Sequence, residues 1–445
     1  MHRDPPDMTQ SGSNKTELGN YFVANYPPFS FWKNTYLPDA FSMLNAPPVL
    51  KNPLGLYVHI PFCRKRCKFC YFRVYTDKNA KDVDSYLEGI LKEIDLYSKL
   101  PVRAGRQLKF IYFGGGTPSY LSVNQLQKLF GGVKTSFDLE QADEVTFECE
   151  PGTLQQHKLA ALRELGVTRL SLGVENFSDS VLEANGRAHH VEEIFRAYDW
   201  ARELGFPQIN IDLIAGMVGE TEANWHDCIQ KIIELAPDCL TIYQLELPYN
   251  TVFSKELKQV DQPDPMVISD WPTKRAWVKY AFETLQKHGY EVSSAYTLVK
   301  NKSKTKFIYR DELWHGADMF GTGVASFGHV QGIHLQNLDQ WDAYLGSLSQ
   351  GQLPLGRALP ISNNQKLIRE MILQLKTGLI HPSEFEKKFH VKVLDKFKPQ
   401  WESLSGQGNL KIGTDSVEVT MDGLLQVDRL LPGFFEPEHL GARYT

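Results

Sequence analysis

The sequence predicts an α/β protein: a partial (β/α)6 TIM-like barrel, preceded by an N-terminal arm and followed by a small, mostly helical C-terminal domain. Three observations predict it. Between residues 55 and about 250, short β-rich runs alternate with helical patterns in six successive units, and repeated βα units build a parallel sheet. Along several runs one alternating phase is apolar while the other is small or polar, so one face packs on helices and the other does not. The polar candidates for chemistry gather where the runs end, and parallel barrels carry their chemistry at the C-terminal ends of the strands.

The chain of 445 residues suits about two to three domains. Residues 1–54 form an arm rich in Pro, Asn, Ser and aromatic residues. Its patch Tyr26-Pro-Pro-Phe-Ser-Phe-Trp32 is too apolar for a solvated tail, so past about residue 20 the arm is expected to pack on the main body, and an arm lying over the active site is one such placement. In the barrel, residues 55–250, strands are expected at 55–60, 109–113, 144–149, 169–174, 208–214 and 239–246. Helices are expected near 80–98, 122–134, 154–165, 178–185, 191–204 and 222–235; in the first, Val83, Tyr86, Leu87, Ile90, Leu91 and Ile94 recur every three or four residues.

Alternation decides between a barrel and a doubly wound sheet. Ile209, Ile211 and Leu213 alternate with Asn210 and Asp212, and Leu170, Leu172 and Val174 with Ser171, Gly173 and Glu175. Val145, Phe147 and Cys149 alternate with Thr146 and Glu148, and Leu56, Val58 and Ile60 with Tyr57 and His59. A doubly wound sheet would bury the polar phase under helices, at a cost for every unpaired carboxylate; a wet lumen does not. Glu148 and Glu150 close the third strand, Glu175 the fourth and Asp212 the fifth, while Gln244 and Glu246 end the sixth.

Residues 251–358 make an extension. A helix over 272–288, a strand at Tyr290–Tyr296, an exposed basic loop at Lys300–Lys306 and a glycine-rich loop at Asp318–Gly328 are expected there. Residues 359–445 open with a helix from Asn363 to Lys376 that buries Leu367, Met371 and Leu375.

Directly after the first strand come Cys63, Cys67 and Cys70, spaced Cys-x3-Cys-x2-Cys. Three thiolates on one short loop suit an iron–sulfur cluster, and three ligands on a [4Fe–4S] cube leave one iron open to a ligand. The competing readings are a zinc site or three ordinary thiols. Zinc wants a fourth Cys or His at a paired spacing, and only His59, on the preceding strand, is near. Of the remaining Cys149, Cys228 and Cys239, the first two read as core thiols, so a second cluster and a disulfide framework are not expected.

The string Tyr57-Val-His-Ile-Pro-Phe-Cys63 with Cys67-Lys-Phe-Cys70 resembles the radical S-adenosylmethionine (SAM) superfamily, and within it the oxygen-independent coproporphyrinogen III oxidase-like family, which includes heme chaperones and class C methyltransferases. The resemblance implies a [4Fe–4S] cluster on Cys63, Cys67 and Cys70 whose open iron chelates SAM and whose electron releases a 5′-deoxyadenosyl radical. It implies that Tyr57 and Glu148 stand at the reaction centre, Tyr57 against the cofactor and Glu148 on the SAM ribose. Gly114, Gly115, Gly116 and Thr117 would pass their backbone close to the SAM ammonium, Arg187 would pair with the SAM carboxylate, and Asp212 would contact the ribose or methionine side. Glu175 stands where the family usually has Gln. The C-terminal domain is similar to the family's winged-helix-like one.

Composition narrows the partners. A net charge of −5 gives no general pull on nucleic acid, and no apolar run approaches the roughly 18 residues of a membrane span; a cytoplasmic monomer is expected. The basic loop residues Arg64, Lys65, Arg66, Lys68 and Arg73 suggest an acidic electron donor such as flavodoxin or ferredoxin. Three functions are compatible with the resemblance: a decarboxylating porphyrinogen oxidase or other tetrapyrrole enzyme, a class C methyltransferase using two SAM molecules, and a heme carrier. The oxidase carries a further cysteine two positions after the third, where this chain has Phe72.

Overall fold

The structure, a computed structural model, describes residues 22–248, 251–254 and 268–442. Six parallel strands form its centre: β1 (Leu54–Ile60), β2 (Leu108–Gly115), β3 (Glu144–Cys149), β4 (Arg169–Glu175), β5 (Gln208–Ala215) and β6 (Cys239–Gln244). Between them run α1 (Ala80–Lys99), α2 (Val123–Ser136), α3 (Gln156–Glu164), α4 (Asp179–Ala184), α5 (Val191–Glu203) and α6 (Glu222–Leu235). Local chemistry sets several starts: Asn79 with Asp82, and Ser122 with Gln125, form capping boxes.

The strands lie side by side in chain order, β1 to β6. Right-handed crossovers in an unbroken order place every connecting helix on one face. The apolar phase faces those helices, and Leu56, Val58, Phe147, Leu172, Ile211 and Leu213 are all buried. The polar phase faces the other way, into a hollow, as the alternation predicts.

The sheet is longer than six strands and stays open. β7 (Glu291–Val292), β8 (Thr297–Val299), β9 (Asp318–Thr322), β10 (Phe327–Val330), β11 (Ile333–Asn337) and β12 (Leu355–Pro360) extend it to twelve strands in the order β12-β11-β10-β9-β1-β2-β3-β4-β5-β6-β8-β7. β9 pairs parallel with β1, β10 to β12 continue antiparallel, and β8 pairs antiparallel with β6. Two expectations are corrected here. The strand expected at Tyr290–Tyr296 breaks into β7 and β8, because Ser293 and Ser294 both donate their amides to the Thr297 carbonyl and turn the chain. The glycine-rich stretch Asp318–Gly328 is mostly strand. Its glycines permit close backbone approach: a Cβ on Gly321 would stand 1.9 Å from the Phe327 carbonyl oxygen. The sixth strand also stops at Gln244, two residues short of Glu246.

Helix Ile308–Trp314 closes the hollow at the N-terminal ends of the strands. Glu144, at the start of β3, accepts from the amides of Ile308 (2.9 Å) and Tyr309 (3.2 Å), a carboxylate on a helix start. Phe307 and Tyr309 reach the lumen, where Tyr309 packs on Tyr112.

The C-terminal region holds helix Asn363–Leu375 and shorter helices with a three-stranded antiparallel sheet. Phe22 to Trp32 joins this region to the barrel. Buried Lys376 donates to the Val23 carbonyl (2.7 Å) and pairs with Asp428 (2.7 Å), while the Tyr26 hydroxyl meets His439 (2.8 Å). Among the described residues no helix is long and apolar enough to cross a membrane.

Gly321→Ala is expected to destabilise the protein by about 1–3 kcal/mol, since a backbone carbonyl cannot yield as a side chain can. Gly346→Ala, in helix Trp341–Ser349 with nothing within 4 Å of the added carbon, is expected to be neutral or stabilising by about 0.5–1 kcal/mol. Urea unfolding of the two variants checks the contrast.

Candidate functional site

The cysteine loop leaves β1 at the C-terminal mouth and is tied down on both sides. The Cys63 amide donates to the Tyr75 carbonyl (3.1 Å) and the Lys68 amide to the Asn185 carbonyl (3.0 Å). Arg64 forks onto Glu150 at the end of β3 (2.7 and 3.2 Å). Burial alone would raise the Glu150 pKa, but hydrogen bonds from His189 and Arg64 and the nearby charge of Arg187 bring it down to about 2. Arg66 donates to the carbonyls of Cys70 and Phe72. Much of the loop's basicity is therefore spent on its own shape, and exposed Lys65 remains at its face.

Two of the three thiols accept hydrogen bonds of the kind a thiolate takes. Thr117 Oγ1 donates to Cys63 Sγ (3.4 Å) and Arg187 to Cys67 Sγ (3.3 Å). Burial pushes the bare thiol of Cys63 up to about 12 and that of Cys70 up to about 11, so iron must displace protons as it binds. Among the described residues the one trio of His, Cys, Asp or Glu donor atoms lying within 4.8 Å of one another is Glu436, Glu438 and His439. The cysteine sulfurs are thus spread wider than one tetrahedral ion with bonds of about 2.3 Å would draw them. Cys149 and Cys228 are buried in the core as expected, and Cys239 is buried against Arg169 of the lumen.

Beside the thiols the lumen carries a ring of acids. Glu148 accepts from the Tyr112 hydroxyl (2.6 Å) and the Gly115 amide (3.1 Å); burial raises its pKa to about 7 against those bonds. Asp212 accepts from Ser171 (3.0 Å) and Asn210 (2.8 Å), and burial raises it also. Glu175 lies 3.7 Å from Arg187. Burial lifts it to about 7 despite that arginine, and its φ of 68° places it at a bulge where β4 pairs with β5. These carboxylates are ringed by protein yet keep a wet face, so they line a hollow.

The glycine triplet is dictated by crowding. A side chain on Gly114 would strike Tyr112 and the Glu148 carboxyl, one on Gly115 the His59 ring, and one on Gly116 the Phe62 carbonyl and Cys63 Sγ. Tyr57 stacks on Tyr112 with ring centres 5.9 Å apart and its hydroxyl 3.3 Å from His59 Nδ1. Arg187 binds the Gly173 carbonyl (2.6 Å) as well as Cys67, and its buried Nε has no partner among the described residues.

All the residues expected at the site therefore converge at one mouth. Tyr112, Ser171, Asn210 and His189 orient Glu148, Asp212 and Glu150. The alternation placed Ser171 and Asn210 on the lumen face without giving them that role; sequence reasoning missed Tyr112, which shares its face with Phe110, and His189, and no polar phase marks either. It also missed Arg169, buried in the lumen against the Phe307 ring, with Nε and one terminal nitrogen unpartnered among the described residues.

The Radical SAM superfamily model matches residues 57–232. The chain is 26% identical to the oxygen-independent coproporphyrinogen III oxidase of Synechocystis sp., across 95% of this chain and 93% of that one. It is 30% identical to the heme chaperone HemW of Lactococcus lactis subsp. lactis, across 77% and 86%. The solved coproporphyrinogen III oxidase HemN of Escherichia coli, at 24% identity, shares its fold with a TM-score of 0.80 over 93% of this chain and 96% of that one.

Replacing Cys63, Cys67 or Cys70 by Ala is expected to abolish most of the iron and sulfide taken up on anaerobic reconstitution. The same change at Cys228 or Cys239 is expected to leave uptake intact. Iron and sulfide analysis per chain distinguishes the two groups.

Proposed function

The chain belongs to the radical SAM superfamily, in the branch shared by the oxygen-independent coproporphyrinogen III oxidases and the HemW heme chaperones, and from that membership we propose that it removes hydrogen from a propionate side chain of a porphyrinogen, with loss of the carboxyl group as carbon dioxide. The cofactors of this superfamily are a [4Fe–4S] cluster and SAM. When bound, they would supply the oxidant: one electron would split SAM into methionine and a 5′-deoxyadenosyl radical that takes the hydrogen atom, and the electron left behind as carbon dioxide departs would pass to an acceptor of the flavodoxin or ferredoxin class, so that SAM is the net two-electron oxidant.

In this reading Cys63, Cys67 and Cys70 hold the cluster, with Thr117 and Arg187 donating to the first two sulfurs. The acids explain the choice of cofactor. Glu148, Glu175 and Asp212 face one hollow whose cations are Arg187 and Arg169, so the hollow favours a cationic guest, and SAM brings a sulfonium and an ammonium. The free Nε of Arg187 is a donor ready for the SAM carboxylate. Tyr57 and the Gly114–Thr117 backbone wall the same space, and the floor made by helix Ile308–Trp314 keeps water from entering below.

The observation that carries the substrate class is the rim of the mouth. Tyr71 and Phe72 stack there, 39% and 48% exposed, and Tyr243 is 41% exposed. Phe22 of the arm packs edge-on against Tyr243 and Tyr296, its amide on Glu246 (2.8 Å). Exposed aromatic faces around the mouth suit a broad macrocycle with apolar faces. A second reading, the heme carrier, is favoured by Phe72, since the oxidases have another cysteine there and an aromatic rim can hold a macrocycle without turnover. Lys65 at the loop face is the proposed contact for a flavodoxin or ferredoxin.

Anaerobic incubation of the reduced, reconstituted protein with SAM and coproporphyrinogen III is expected to yield 5′-deoxyadenosine and carbon dioxide. S-adenosylhomocysteine with a methylated product would reassign it to the class C methyltransferases, and tight heme binding without carbon dioxide would assign it to the carriers. SAM affinity has a pH signature as well. A cationic guest favours ionised Glu148, so with that carboxyl at about 7 in the bare protein SAM must expel a proton at lower pH. Glu175, also at about 7, adds to the effect, so affinity is expected to fall as pH drops below about 7 by up to tenfold per unit for each of the two carboxyls, and Glu148→Gln should weaken binding and remove one of those two steps in equilibrium titrations.

A further inference from the structure

A second polar cleft lies at the opposite end of the sheet from the cysteine loop, between the β10–β11 hairpin, the approach to β1 and helix Asn363–Leu375. Its volume is about 50 Å³, and its walls include Asn52, His329, Lys366, Arg369, Glu370 and Lys388. That space holds only a few water positions, the size of a small oxyanion.

The charges around it do not cancel. Lys388 donates to both oxygens of Glu370 (2.9 and 2.7 Å), so this pair is internally matched. Asp318, the next carboxylate, is taken by Arg106 (2.8 Å) and Gln331 (2.7 Å). Arg369 is 4% exposed, and its sole hydrogen bond among the described residues runs from Nε to Asn25 Oδ1 (2.7 Å). Burial lowers its pKa to about 10 although Glu370 and Asp318 stand near enough to raise it, and among the described residues neither carboxylate hydrogen-bonds to the guanidinium. Lys366 lies across Gly332, where a Cβ would stand 2.2 Å from its Cε, and it too has no anionic partner among the described residues.

One group in the wall is an acceptor. His334 Nε2 must donate to the Tyr26 carbonyl (2.9 Å), because a carbonyl has no proton to give. His334 Nδ1 is then an acceptor, and His329 Nδ1, 2.9 Å away, must donate to it. His329 Nε2 is left without a proton. Burial and the charges of Arg369, His334 and Lys366 hold that ring neutral.

We propose that this cleft binds a protonated phosphate group, with Arg369 and Lys366 donating to its oxygens and His329 Nε2 accepting from its P–OH. Sulfate offers the same charge and shape but no proton at neutral pH, so the histidine discriminates against it. The arm takes part, because Asn25 orients Arg369 and Tyr26 fixes the histidine tautomers. This inference is independent of the radical chemistry and holds whichever substrate the mouth accepts.

The test is calorimetric titration of the full-length holoprotein, in phosphate-free buffer at low ionic strength, with inorganic phosphate, glycerol 3-phosphate and sulfate. One saturable phosphate site per chain is expected, with sulfate at least about tenfold weaker. Lys366→Gln, at a half-buried position the fold does not need, is expected to weaken phosphate about tenfold or more, the loss of one charge-assisted hydrogen bond, with SAM cleavage unchanged. Tighter glycerol 3-phosphate assigns the cleft to a monoester, and tighter inorganic phosphate to the free ion. Sulfate binding as tightly as phosphate overturns the role of His329. Absence of a saturable site, or affinity unchanged in Lys366→Gln, overturns the site itself.

Discussion

The geometry of this protein follows from the unbroken order of its six central strands. Crossovers of one hand between sequential neighbours deposit all the helices on one side of the sheet, and the other side has to be filled by something that is not a helix of the repeat. Here the filling is supplied from below by helix Ile308–Trp314 and at the side by residues 22–32 and the C-terminal region. The middle stays hollow. Carboxylates that a two-sided sheet would exclude can therefore stand in rows along the strands, each held by a neighbouring hydroxyl, amide or guanidinium.

Much of this was legible in the sequence. The parallel strands and their connecting helices lie within about two residues of the runs read from periodicity, and the alternation of Ile209, Ile211 and Leu213 with Asn210 and Asp212 revealed a one-sided sheet before any coordinates. The cysteine spacing, with Glu148, Glu175, Arg187 and Asp212, located the mouth. What stayed hidden depends on contacts between distant segments. Nothing near residue 318 announces that β9 pairs with β1, since the glycines that allow it look like a loop. Nothing in the isolated His189 indicates that it braces Glu150. Pairing partners far apart in the chain leave no local period, and Ser293-Ser294 defeats a strand reading through side-chain and turn preferences that compete with the ladder.

The arm is the least regular segment and among the most connected. Its residues contribute a donor to Glu246 at the mouth, a carbonyl to the buried ammonium of Lys376, an amide oxygen to Arg369 and a carbonyl to His334. An irregular strand can do this because it has no ladder of its own to satisfy, so its backbone groups are free to meet side chains from the barrel and from the C-terminal region. The buried cations on helix Asn363–Leu375 and just past it are thus neutralised or oriented by a segment more than three hundred residues earlier, which ties the two ends of the chain into one fold.

The helix plugging the lumen also gives the hollow a direction. With Ile308–Trp314 seated at the N-terminal ends of the strands, the acids and the cysteine sulfurs are left together at the opposite ends, so one end of the sheet is given to closure and the other to its polar groups.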